Sequence, residues 1–257
     1  MIDFHSHIVY DVDDGSDSIE TSLKILKLAE ATGFHSIILT PHYMEDYYEC
    51  HADEINEKIE HLKELCKEND IDIQLYQANE IYIANDIVDL LKANKASTIN
   101  KSKYVLFELP MNEEPPNLLE VIYSLKENDK VPIIAHPERY TYIQENPNKL
   151  LELIDMGVLF QSNYGSIVGQ YGEKCKKTIK ALLKNNFIHF LGTDVHKSTS
   201  IYTKMEDAKK ELEKILTQEQ IKILVEENAK KVLENKKIEI DEPNYIKKSF
   251  FDKIFGN

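Results

Sequence analysis

Seven short apolar segments alternating with amphipathic, charged segments predict an α/β fold, a closed or nearly closed barrel of seven parallel strands. Three observations carry that expectation. Compact apolar runs such as Ser36–Leu39 and Val131–Ala135 have the length and composition of buried strands. The segments between them repeat apolar residues at helical spacing. Side chains able to bind metal recur where each strand should end. Strand–helix alternation requires parallel strands, and a parallel barrel puts all its strand C-termini on one face, where active sites are built.

The first strand starts at Met1, and its alternation places His5 and His7 two apart on one face. The acidic loop Asp11-Val12-Asp13-Asp14-Gly15 follows. Asp17 and Glu20 have the spacing of a capping box for a helix to Ala31, with Ile19, Leu23, Leu26 and Ala29 as its stripe and Gly33 as its stop. The second strand, His35 to Thr40, ends in Thr40-Pro41-His42-Tyr43. A charged helix from about Asp53 to Asn69 buries Ile55, Ile59, Leu62 and Leu65. Ile71, Ile73 and Leu75 alternate in a third strand leading to Asn79-Glu80, and a short helix spans Asp86 to Ala93. The fourth strand, Tyr104 to Leu109, carries Glu108, and Pro110 and Pro115-Pro116 punctuate the loop after it.

A helix from Leu118 to Asn128 precedes the fifth strand, Val131 to Ala135, which ends at His136. The loop Pro137-Glu138-Arg139-Tyr140 leads to a helix over about Asn148–Met156, capped by Gly157. The sixth strand runs from Val158 to Ser162 and ends at Asn163, before a loop with Gly165 and Gly169. A helix over Glu173–Asn185 precedes the seventh strand, Ile188 to Leu191, which ends in Gly192-Thr193-Asp194-Val195-His196. Helices over Lys204–Leu216 and Gln218–Leu233 complete a single domain spanning 1–257. Residues 234–257 are polar except for Phe250, Phe251, Ile254 and Phe255, and are expected to pack outside the barrel or to contact another subunit.

Hydrophobic residues make up 42% of the chain, enough for a core, and no window approaches the roughly 18 apolar residues of a membrane span. A net charge of −14 argues against nucleic acid or an anionic membrane as a general partner. Met1-Ile2-Asp3 opens no secretory signal, and Cys50, Cys66 and Cys175 form no CxxC pair, so reduced thiols in a cytoplasm are expected.

Of nine histidines, five (His5, His7, His42, His136 and His196) fall at strand ends, joined there by Asp14, Glu80, Glu108 and Asp194. His35, His51, His61 and His189 lie elsewhere and read as structural or solvent-exposed. One strand-end histidine is ordinarily a loop residue, but convergence of all seven strands on the same chemistry points to metal. Nine such ligands exceed the needs of one ion and suit two or three ions bridged by a carboxylate. With no cysteine among them, the site is nitrogen and oxygen only, which leaves manganese, iron or catalytic zinc open. Clusters of this kind activate water and clamp phosphoryl oxygens. Arg139 is the only arginine beside thirty lysines. Its planar fork matches two phosphate oxygens, as lysine cannot; the alternative is a structural salt bridge.

These residues resemble the polymerase-and-histidinol-phosphatase (PHP) superfamily, and more closely its manganese-dependent bacterial protein tyrosine phosphatases of capsular and exopolysaccharide systems, the CpsB/CapC group. The motifs are DFHSHI at 3–8, DVDDG at 11–15, TPHY at 40–43, NEIY at 79–82, FEL at 107–109, AHPERY at 135–140, LIDMG at 153–157, QSN at 161–163 and TDVH at 193–196. The resemblance implies a distorted, TIM-like seven-stranded barrel. It implies one metal on His5, His7, Glu80 and Asp194, a second sharing Glu80 and adding Glu108 and His136, and a third on Asp14, His42 and His196. Arg139 would orient the phosphate, a metal-bridging hydroxide would attack, and His42 or a metal-bound water would supply the proton. The expected cofactor is manganese, two or three ions per chain. The expected substrate is phosphotyrosine in protein, on the tyrosine-rich tail of a bacterial tyrosine kinase; a homo-oligomer is left open.

One departure stands out. The family carries a second arginine shortly after the TDVH motif, whereas this loop reads Lys197-Ser198-Thr199-Ser200-Ile201-Tyr202. Lys197 would bring charge to the substrate without bidentate geometry. Tyr10, Tyr43, Tyr82, Tyr140 and Tyr164 on strand-end loops are candidates for an apolar wall around a phenyl ring. Two other readings accompany the first: a phosphatase of histidinol phosphate or another small molecule, and a catalytically idle barrel that binds a kinase.

Overall fold

A computed structural model describes residues 1–197 and 200–247. Its strands are β1 (Ile2–Asp3), β2 (Ser36–Leu39), β3 (His42–Tyr43), β4 (Gln74–Gln77), β5 (Glu80–Tyr82), β6 (Tyr104–Glu108), β7 (Val131–Ala135), β8 (Leu159–Asn163) and β9 (Phe190–Gly192). Every pairing is parallel. They form a three-stranded sheet, β1-β2-β4, and a curled six-stranded sheet, β3-β5-β6-β7-β8-β9.

Hydrogen bonding thus counts nine strands where seven are expected, because two of the expected strands are each broken in two. The break between β2 and β3 falls at Thr40-Pro41, where proline has no N–H for a ladder. The break between β4 and β5 falls at Ala78-Asn79. Backbone bonds still cross the gap: Ala78 N–H donates to the Leu39 carbonyl at 2.9 Å and Glu80 N–H to the Pro41 carbonyl at 3.1 Å. At the other margin Ser6 bridges Val195 in parallel, and His7 N–H donates to the Val195 carbonyl at 2.8 Å. Asp3, fully buried, accepts from the Thr193 N–H at 2.8 Å and the Thr193 hydroxyl at 2.6 Å. The first and last strands are therefore joined.

Alternation along the strands divides the core in two. Tyr104 and Leu106 of β6, with Ile133 and Ala135 of β7, point into a cluster with Phe4 and Phe190, whose rings stack at 4.0 Å. Val105, Phe107 and Ile134 point into the larger cluster beneath the surrounding helices. Glu108, two residues beyond Leu106, shares the inner face and is carried to the mouth.

Among the helices, Ser18 rather than Asp17 caps Ile19–Ala31, its hydroxyl accepting from Thr21 N–H. A full capping box forms instead at Thr217 and Gln220. The long charged helix is Ala52–Glu68. The helix expected over 148–156 is Leu150–Asp155, entered through a 3₁₀ turn at Pro147–Lys149, and a further short helix, Thr141–Glu145, precedes it. The expected helix over 218–233 makes a π turn at Ile223–Glu227.

The described part of the tail lies along the outside. Ile238 and Ile246 are buried, and the Tyr104 hydroxyl donates to the Lys236 carbonyl at 2.7 Å. Asn148 holds Ile246 by two bonds of 2.8 and 2.9 Å. Phe250, Phe251, Ile254 and Phe255 lie outside the described residues. Among the described residues, no helix is long and apolar enough to cross a membrane.

Candidate metal centre

Three groups of ligand atoms, each within 4.8 Å of one another, gather at the C-terminal mouth: His5, His7, Glu80 and Asp194; His7, Asp14, His42 and His196; and His42, Glu80 and Glu108. The mouth thus brings together eight of the nine residues expected there. The ninth, His136, points its Nε2 at Glu80 Oε1, 2.8 Å away, with Glu108 Oε2 at 3.8 Å. His42 Nδ1 lies 3.2 Å from Glu80 Oε2 and 3.3 Å from Glu108 Oε1. Asp14 sits at the rim, 3.7 Å from His42 Nε2 and 3.5 Å from His196 Nε2.

The innermost group shows what it is built to hold. Gln161 donates its amide hydrogens to the Ser162 carbonyl and Asn163 Oδ1, so its Oε1, 2.8 Å from His5 Nδ1, accepts. That contact puts the His5 proton on Nδ1. Asp13, 2.7 Å from His7 Nδ1, does the same for His7. In the neutral rings both Nε2 atoms are then lone pairs 3.0 Å apart, facing Glu80 Oε2 at 3.1 and 3.3 Å and Asp194 Oδ1 at 3.6 and 3.4 Å. Four acceptors aimed at one buried point need a cation between them. A nitrogen/oxygen donor set with carboxylate- and amide-anchored imidazoles fits a divalent metal.

The electrostatics agree. Burial opposes the charge on Glu80, but the imidazoles of His5 and His42 and the bond to His136 hold its carboxyl well below the usual range. Asp194 is likewise held low against its burial by His5 and His7. Asp13 is lowered to about 2, burial being outweighed by His7 and by the His42 N–H it accepts at 2.9 Å. Burial also works against protonated His7, yet Asp13, with Asp194 and Glu80, lifts it well above an ordinary histidine, so this point favours a positive charge, whether carried by a proton or by a metal ion. His196, half-buried, is pushed down to about 4 by desolvation and by neighbouring His7.

Close backbone approaches make this possible. A Cβ on Gly192 would lie 2.6 Å from His5 Cβ, and one on Gly15 would lie 2.3 Å from the His7 carbonyl oxygen. His136 and Asp194 both adopt left-handed backbone, with φ of +33° and +52°, turning out of β7 and β9 to aim their side chains inward.

Arg139 Nη1 donates to Asp194 Oδ2 at 2.8 Å, so the salt bridge posed as the alternative exists. The same guanidinium stacks on Tyr171, 4.6 Å from the ring centroid, in a cavity of about 240 Å³ shared with Thr193, His196 and Ile201. Ion pairing and an open lip coexist. Lys197 is exposed beside His196, and Ser198 and Thr199 lie outside the described residues.

The expected tyrosine wall is corrected. Tyr43, Tyr140 and Tyr164 are buried in the core, and Tyr10 pairs with His61. Tyr82 is half-buried, level with Glu108 in the sheet. The rings that face the mouth are Tyr48, stacked on His42 at 5.7 Å, and Tyr171. Asp13, Gln161 and Glu138 also escape sequence reasoning. Glu138, fully buried, accepts from Asn163 N–H at 2.9 Å and from the Ser162 and Ser166 hydroxyls, each at 2.6 Å. Its only signal is a place between His136 and Arg139. Of the four histidines set aside, His35 pairs with Glu226 at the surface and His189 is buried in the core.

Comparison with known proteins places this geometry. The family model described as "Capsular polysaccharide synthesis, CpsB/CapC" matches residues 1–234. The chain is 30% identical over 256 residues to tyrosine-protein phosphatase YwqE of Bacillus subtilis, covering 100% of this chain and 99% of that one. It is 31% identical over 238 residues to tyrosine-protein phosphatase CpsB of Streptococcus pneumoniae, covering 91% and 98%. A solved structure from work on YwqE and CpsB as "unique metal-dependent tyrosine phosphatases" superposes with a TM-score of 0.89 at 30% identity, over 96% of this chain and 100% of that one. By sequence along nearly its whole length and by fold, the chain belongs to the CpsB/CapC family.

Proposed function

We propose that this protein is a metal-dependent protein-tyrosine phosphatase of capsule or exopolysaccharide synthesis, acting in the cytoplasm on the tyrosine-rich tail of a bacterial tyrosine kinase. The observation that carries the reading is the convergence of bare imidazole and carboxylate donors on buried points beside a half-open arginine. The two sheets, joined across their breaks, are read as the seven staves of a distorted barrel.

His5, His7, Glu80 and Asp194 would hold one ion; Glu80, Glu108 and His136, with His42 adjacent, a second; and Asp14, His42 and His196 a third. Manganese is compatible with such thiolate-free carboxylate and imidazole ligands. Bound divalent ions would supply Lewis acidity toward phosphoryl oxygens and lower the pKa of water. The chain's own groups do the rest. Asp194 occupies one arm of Arg139 and Tyr171 supports its plane, leaving the other N–H groups to orient phosphate at the lip. Tyr48 on one side offers a flat surface to an aryl group. Phenolate, with a pKa near 10, leaves with little acid help. Exposed Lys197 adds charge for an anionic substrate.

The test is turnover of a phosphotyrosine peptide, a phosphoserine peptide and histidinol phosphate in parallel. Chelation should abolish activity and Mn²⁺ restore it, and His5→Ala or His136→Ala should remove most of it. The phosphotyrosine peptide should show the highest kcat/KM. Histidinol phosphate better by about tenfold, a ΔΔG‡ of about 1.4 kcal/mol, would overturn the assignment.

A further inference from the structure

On the outer wall, away from the metal centre, a groove of about 450 Å³ opens between helix Leu118–Glu127 and the segment Thr141–Leu153. Its lining is mainly apolar: Pro116, Leu118, Leu119, Ile143, Leu150 and Leu153. Leu119 is 43% exposed. Tyr142, also in the lining, has a buried hydroxyl with no hydrogen-bond partner among the described residues. An apolar trough holding an unsatisfied hydroxyl is costly to leave as it stands.

We propose that the groove is the docking site of this chain's own residues 248–257. The described chain ends at its edge. Ile246 is pinned by two hydrogen bonds to Asn148, and the next residues, Lys149 and Leu150, line the groove. Three extended residues span about 10 Å, enough to bring Phe250 to the opening. The segment that follows carries Phe250, Phe251, Ile254 and Phe255. Their spacing in the sequence, i, i+1, i+4 and i+5, is an amphipathic pattern. Lys248, Asp252 and Lys253 lie among them, and of the acids in the groove wall Glu114 is paired with Lys149. An otherwise polar tail thus carries an apolar segment that matches an apolar trough.

Docking there bears on the site behind it. Tyr140 forms the inner wall, and its hydroxyl accepts from Leu109 N–H at 2.9 Å and donates to the Ala135 carbonyl at 2.8 Å. It ties together the ends of β6 and β7, which lead into Glu108 and His136. A filled groove backs that tie.

The chain contains no tryptophan, so Phe251→Trp in the full-length, metal-loaded protein gives a single reporter. Its emission should be that of a buried indole, poorly quenched by acrylamide and unchanged by dilution. Adding Leu119→Glu, at a surface-exposed groove position, should red-shift the emission and raise quenching severalfold while circular dichroism stays the same. A solvent-exposed spectrum in Phe251→Trp alone, or a buried one insensitive to Leu119→Glu, overturns the proposal. Emission that reddens on dilution, with a dimer seen by light scattering, also overturns it, since a second copy's tail would then fill the groove.

Discussion

Asp13 binds nothing at the centre of the site, yet three parts of the site depend on it. It holds His7 Nδ1, accepts the backbone N–H of His42 and accepts the N–H of Gly15 at 2.9 Å. Asp13→Asn replaces an anionic acceptor with an amide and frees the His7 ring to turn. Metal affinity should fall by about 10–100-fold, measured by competition with a chelating dye, while melting in the absence of metal changes little. The cysteines are the opposite case. Burial pushes the thiols of Cys50 and Cys66 up to about 11 and that of Cys175 up to about 12, so none is a thiolate at neutral pH. Residue 133, six before the only arginine, is isoleucine, where a cysteine-dependent phosphatase would carry its nucleophile. Replacing all three cysteines by serine should keep metal-dependent turnover within about threefold of the parent. A collapse in rate with normal metal content would reveal a thiol mechanism.

Between residue and fold stands the short 3₁₀ turn Pro137–Arg139, which places Arg139 by burying its neighbour. Glu138 gathers three donors from β8 and the helix Tyr164–Ile167, fixing that turn against the strand that carries Asn163. Glu138→Ala strands a buried N–H and two hydroxyls and should cost roughly 2–5 kcal/mol in chemical denaturation. Glu138→Gln should cost about 1 kcal/mol, because the Ser162 hydroxyl can rotate to accept from the new amide. Equal losses for the two would show that charge, rather than hydrogen-bond count, secures the turn. This element also marks the limit of sequence reading. Strand ends were legible because ligand types recur at each one, and every expected ligand lies at or beside the mouth. The supporting contacts of Asp13, Gln161 and Glu138 were not, since burial of a polar side chain leaves no periodic trace. The tyrosine wall failed for the same reason: a loop tyrosine and a core tyrosine look alike until the chain is folded.

Across the whole molecule, stability should carry a mark of His189. Its Nδ1 accepts from Phe160 N–H at 3.0 Å, and burial pushes the imidazole down to about 4 from 6.5. Between those pH values the unfolded chain binds the proton and the folded one does not, so stability falls as the pH drops. The difference of about 2.5 pH units corresponds to about 3 kcal/mol by pH 4. His189→Gln should flatten the plot of Tm against pH across that interval, measured by scanning calorimetry; an unchanged slope would assign the acid sensitivity to other groups. The parallel α/β architecture follows from the alternation of strand and helix patterns, whereas the breaks at Thr40-Pro41 and Ala78-Asn79 depend on how neighbouring strands share their backbone donors. The union of Asp3 with Thr193 spans 190 residues of chain. During synthesis His5 and His7 leave the ribosome long before Asp194 and His196, and closing so long a loop is slow. A nascent chain therefore lacks Asp194, the last member of the group it forms with His5, His7 and Glu80, until synthesis is nearly complete, and assembly of the whole donor set belongs to the last moments of folding.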